Sequence, residues 1–121
     1  MAYDPLSAIE DAPLFIVPRV LNRLRAFRAR PRLEKLPGVD TRDERARLGG
    51  HIDALIDRLI AGVEAHPTKF WVMKQFQTTL EAVAGEDTEA REHVGMELEE
   101  LMDILGIDRS DGVLSYYLGG I

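Results

Sequence analysis

Three histidines, His51, His66 and His93, are the side chains in this sequence best suited to move protons or hold metal ions near neutral pH. Imidazole needs a second group at a set spacing to do either. A di-iron centre would pair Glu-x-x-His on two helices, but the residues three before the histidines are Leu48, Val63 and Ala90. The zinc spacing His-Glu-x-x-His is also missing. His93 lies four residues from both Glu89 and Glu97, which puts the three on one helix face and makes a metal site the chemical alternative there. The competing reading is a solvated acidic face, which helices carry routinely. His66, before Pro67, reads as a helix-end residue complementing the negative end of the dipole.

Nucleophile and phosphate chemistry find no support. Ser7, Ser110 and Ser115 lie in no Gly-x-Ser-x-Gly elbow. Gly49-Gly50 has no following Gly-Lys-Ser/Thr and falls inside a helical pattern, so it reads as close helix packing or a kink. The chain has no cysteine, which removes disulfides and thiolate sites and agrees with a reducing compartment, the cytoplasm by default. The expectation is therefore a protein that is not an enzyme and carries neither cofactor nor metal. A small helical metal protein or enzyme using His93, Glu89 and Glu97 stands as the alternative.

The elements that would position these residues are helices. Apolar residues recur at steps of three and four, without strand-like alternation. A first helix opens near Pro18, places Val17, Val20, Leu21, Leu24 and Phe27 on one face, and stops at Pro31. After a linker to Asp40, Thr41 and Glu44 form a capping box for a second helix with the stripe Leu48, Ile52, Leu55, Leu59 and Val63. His66-Pro67 breaks it, and the tight junction makes it an antiparallel pair with a third helix, whose stripe is Phe70, Met73, Phe76, Leu80 and Val83 and whose C-cap is Gly85. Asp87 or Thr88 caps a fourth helix with the stripe Val94, Leu98, Leu101 and Leu105, ended by Gly106. A short terminal helix runs from Ser110 or Asp111 to Leu118. The prediction is an all-α, bundle-like fold of four main helices plus a short C-terminal one. It forms a single domain over residues 1–121, with 1–16 a loosely ordered arm.

At 121 residues a single domain can bury about two thirds of its unfolded surface. No apolar run approaches the roughly 20 residues of a membrane span, and the acidic N-terminus does not read as a signal peptide. The net charge of -6 is unevenly spread: ten basic residues face four acidic ones between Arg19 and Arg47, whereas ten acidic residues face two basic ones between Glu86 and Asp111. The first helix's arginines read as a membrane-surface or polyanion contact, or as docking on the acidic fourth helix of the same chain. The negative total and the missing recognition motif argue against nucleic acid.

The C-terminal third carries Asp87-Thr-Glu-Ala-Arg-Glu92, Met102-Asp-Ile-Leu-Gly-Ile107, Ser110-Asp-Gly-Val-Leu114 and Leu118-Gly-Gly120. In these it resembles a bacterial family classed as a domain of unknown function, a resemblance that names no activity. The helical hairpin around Ile56 to Leu80 is similar to small helical immunity proteins that neutralise interbacterial toxins. That resemblance implies a module that binds another protein, a basic toxin or enzyme, through an acidic face; a homo-oligomer stays open, and a regulatory or polyanion-binding accessory role is the further alternative. The expected contact residues are Glu97, Glu100 and Asp103; the Ser110-Asp111-Gly112 turn reads as a helix re-entry after Gly106 that needs no ligand or, with Tyr116 and Tyr117, as the lining of a partner surface, since tyrosine is enriched at interfaces.

Overall fold

The computed structural model describes residues 3–31 and 42–119. Among these residues five α-helices follow a 3-10 turn at Pro5–Ala8: α1 Pro18–Ala29, α2 Arg42–Gly62, α3 Lys69–Ala82, α4 Thr88–Leu105 and α5 Val113–Leu118. No strand occurs among the described residues, so the chain is all-α as its periodicity predicts. No described helix is long and apolar enough to cross a membrane.

The α2 stripe is fully buried at Leu48, Ile52, Leu55, Leu59 and Val63, joined by Ile56. Each such side chain contributes about 1.5–3 kcal/mol by leaving water. The stripe packs on α1 and α3. In α1 the buried face is Leu21, Leu24 and Phe27, while Val17, expected on it, precedes the helix and is exposed. In α3 the buried face turns toward Val72, Met73, Phe76 and Leu80, leaving Phe70 exposed rather than in the stripe. Thr41 of the expected capping box and most of the linker before it lie outside the described residues.

The α2–α3 junction is tight because Gly62 lies against the Trp71 ring. A Cβ there would sit 2.6 Å from Trp71 Cζ2. Close packing thus falls at Gly62; of the Gly49-Gly50 pair, Gly50 is exposed and a Cβ there would meet nothing within 4 Å, while Gly49 is buried. Thr68 caps α3, accepting from the Trp71 amide at 3.2 Å. At its other end α3 stops at Ala82 with Val83 as C-cap in an ordinary conformation, so Gly85 does not serve as the cap. The caps of α4 match expectation: Asp87 accepts from the Ala90 amide at 2.9 Å, and Gly106 closes the helix at φ 79°.

Residues 3–16 differ most from the reading as a loose arm. Leu6 and Leu14 are buried, and the 3-10 turn packs on α3 and α5. The physical reason lies in the four amides at an α-helix start that have no partner in their own helix. In α3 the Thr68 amide donates to His66 O, Lys69 to Ala12 O at 2.9 Å, Phe70 to Asp11 Oδ1 at 2.8 Å and Trp71 to Thr68 Oγ1. The Leu14 amide returns a bond to Pro67 O at 2.7 Å. The N-terminal segment therefore completes α3.

Candidate functional site

The buried positions of α4, among them Ala90, Val94, Leu98, Leu101 and Leu105, turn its opposite side outward. On that side lie Glu89, Glu92, Met96, Glu99, Glu100 and Asp103, all exposed. Glu97, expected with the contact residues, sits on the flank of the helix, half-buried and already engaged within the chain. Met96 is 58% exposed at the centre of the outer row.

Part of this charge is matched by α1. Arg23 pairs with Asp103 at 3.6 Å and Arg30 with Glu100 at 3.1 Å, the Arg30 guanidinium also lying 4.5 Å above the Phe27 ring. Arg28 turns the other way, to Asp57 at 2.9 Å and Asp53 at 3.4 Å, and its hydrogen bond to Asp57 raises an already high pKa. The arginines of α1 thus bridge α2 and α4, the intramolecular docking that the charge asymmetry allowed. Glu89, Glu92 and Glu99 are left with no hydrogen-bond or ion-pair partner among the described residues. Between α1 and α4 runs an open groove of about 610 Å³, lined by Ala26, Phe27, Met96 and Ile104 and rimmed by the two ion pairs and Glu99.

The other expected contact residues lie at the far end of α4, where they join elements of the chain. Asp111 stands in the left-handed region at φ 55°, a conformation that Asp tolerates better than most side chains. Its Oδ2 accepts from Lys69 Nζ at 2.6 Å and from the Glu10 amide at 2.9 Å. The Lys69 ammonium, and after it the Glu10 amide, hold the carboxyl below the usual aspartate range. Ser110 Oγ accepts from the Leu114 amide at 3.2 Å and so helps start α5 at Val113. The Tyr117 hydroxyl accepts from Gln77 at 2.9 Å and faces Glu81, and burial pushes its pKa up. Tyr116 is exposed, with its ring 5.0 Å from Tyr117 and 5.5 Å from Tyr3.

The histidines do not converge. His66 stacks on Trp71 with ring centroids 5.4 Å apart, and His93 and Glu97 are half-buried and engaged within the chain. Among the described residues no group of three or more His, Asp or Glu side chains is placed to hold a metal ion. The residues that sequence reasoning missed, Glu89, Glu92, Met96 and Glu99 as a free outer row, were signalled by the helical period. Counting from Val94, Leu98, Leu101 and Leu105 puts Met96 opposite the core and Glu97 beside it.

No curated protein and no solved structure matches this chain. One family model does, over residues 16–121, a span that holds all five α-helices and begins just after the segment that completes α3. The chain belongs to the domain of unknown function family DUF4844.

Proposed function

We propose that this chain is a non-catalytic protein-binding module that offers the outer face of α4 to a basic partner, in the manner of an immunity-type protein occluding a toxin or enzyme. The observation carrying this reading is the row of carboxylates without a partner among the described residues, Glu89, Glu92 and Glu99, set around exposed Met96. Unmatched like charges on one helix face repel one another, and a cationic partner relieves that repulsion while the field steers it in. Rim charges of this kind choose the partner and set the association rate, and a central apolar contact slows dissociation. The metal alternative has to draw on His93 and Glu97, which are engaged already, and the polyanion alternative on a basic helix whose Arg23 and Arg28, with Arg30 after them, are paired with carboxylates.

The test is capture from the native cell extract at moderate salt, with the tagged chain compared against Glu89→Lys, Glu92→Lys, Glu99→Lys. These residues leave the α1–α4 ion pairs intact, whereas reversing Glu100 and Asp103 would break two of them. The expected result is one basic protein, identified by mass spectrometry, retained by the native chain and lost by the folded variant. Equal retention by both would reject the face.

A further inference from the structure

We infer that the groove between α1 and α4 receives a basic amphipathic helix from the partner, one large apolar side chain seated between Ala26 and Met96 above Ile104, its cations against Glu99, Glu92 and Glu89. The inference rests on the binding-module reading and names what that module holds.

Shape and charge argue for it together. Arg23 meets Asp103 and, seven residues on, Arg30 meets Glu100, so α1 runs antiparallel to α4 and the two ion pairs rim the groove on one side, with Met96 one turn beyond Glu100. Its floor is apolar, with Phe27 and Ile104 almost covered and Ala26 and Met96 open to solvent. Two arginines on the rim face three carboxylates, which among the described residues leaves Glu99 as the unmatched charge, and the unmatched row continues through Glu92 to Glu89. An anionic or neutral occupant leaves that row uncompensated, whereas a cationic one matches it. The row from Glu89 to Asp103 spans about 21 Å at the helical rise, the length of a four-turn helix.

The backbone decides which cationic segment fits. Both walls are helices whose amides and carbonyls bond within themselves, so they offer an incoming chain no edge to pair with. An extended peptide would lay its own polar backbone over Ala26 and Ile104 without partners, while a helix brings its backbone already satisfied.

The experiment titrates the full chain with a labelled 18-residue peptide of leucine and lysine, the leucines at helical spacing, and with a peptide of the same composition in scrambled order. Met96→Glu and Ala26→Glu, both at exposed positions, are titrated alongside, with circular dichroism and thermal melting showing that they fold. The expected result is binding of the helical peptide that weakens at least tenfold in either variant and at least tenfold for the scrambled peptide. Equal binding of both peptides, indifferent to Met96→Glu but abolished by Glu89→Lys, Glu92→Lys, Glu99→Lys, overturns the helix-in-groove inference and leaves the acidic face standing. Binding of neither peptide overturns the inference as well, while capture from extract decides the module reading separately. A dimer of the chain alone in light scattering, dissolved by Met96→Glu, assigns the groove to a second copy and also overturns it.

Discussion

At the junction of the N-terminal segment, α3 and α5, carboxylates hold the chain together, Asp11 by accepting from the Phe70 amide and Asp111 by accepting from Lys69 and the Glu10 amide. Along the outer face of α4, Glu89, Glu92 and Glu99 carry the same chemical group and hold nothing within the described residues. The junction keeps its charges at 12% and 17% side-chain exposure for Lys69 and Asp111, where water screens little and a missing partner is costly. The α4 face keeps its charges in open solvent, where they add little to stability and stay available. Acidic composition is shared by both regions, and the difference in pairing separates the residues that build the molecule from those free to meet another.

The largest effect that could break this contrast comes from deleting residues 1–14. The deletion uncovers the pocket of Leu6, removes buried Leu14 and leaves the Lys69 and Phe70 amides without acceptors. At about 1.5–3 kcal/mol for each buried leucine, a loss of roughly 4 kcal/mol is expected in urea unfolding. A loss under about 1 kcal/mol would mean that the segment only rests on α3.

Asp111→Asn comes next, because asparagine tolerates the left-handed backbone and the change isolates the charge. A hydrogen bond to an ionised partner contributes about 1.5–3 kcal/mol, so a loss near 2 kcal/mol at neutral pH is expected. The pH dependence follows from the depressed carboxyl. Its stabilisation is fully present above the ordinary aspartate range near pH 4 and fades as pH falls through the lower folded value. The stability gap between native chain and variant should therefore stay constant from neutral pH to about 5 and close on further acidification. A gap that persists at about pH 2 would show that shape, not charge, makes the junction.

Asp11→Ala sharpens the same point at smaller scale. Loss of a side-chain cap costs about 1 kcal/mol, even though this cap comes from 59 residues away in sequence. Hydrogen exchange should quicken first at the Phe70 amide, and unchanged protection there would remove Asp11 from the junction.

That distance explains what could be read beforehand. The α2 stripe, the Asp87 cap and the Gly106 stop depend on neighbours within a few residues, so period and residue type disclose them. The docking of residues 3–16 depends on which remote helix start lacks acceptors, and nothing local to Asp11 or Leu14 announces it. Asp111 was hidden for the same reason, since its partners Lys69 and Glu10 meet it only in the folded chain, whereas the Ser110 bond to the Leu114 amide is local to the start of the terminal helix and so was legible. On α4 the information was present in the helical period, but charge density drew attention to Glu97, Glu100 and Asp103, while the apolar member of the outer row, Met96, marked its centre.

The smallest expected effect is the most discriminating. Changing Glu89, Glu92 and Glu99 to lysine should move stability by no more than about 1 kcal/mol, because opposing small terms nearly cancel. Glu89 lies in the first turn of α4, where lysine meets the positive end of the dipole and costs about 0.3–1 kcal/mol. Glu99 precedes Asp103 by one turn, and a lysine there replaces repulsion with a pair worth about 0.3–0.5 kcal/mol. Glu92 stands one turn from Glu89, so replacing both leaves that local repulsion as it was. Thermal melting of the variant should overlay the native chain within a few degrees, in contrast to Asp111→Asn, whose single change removes more stability than these three together. A large loss of stability in the α4 variant would mean that the face is paired in solution and is not kept free for a partner.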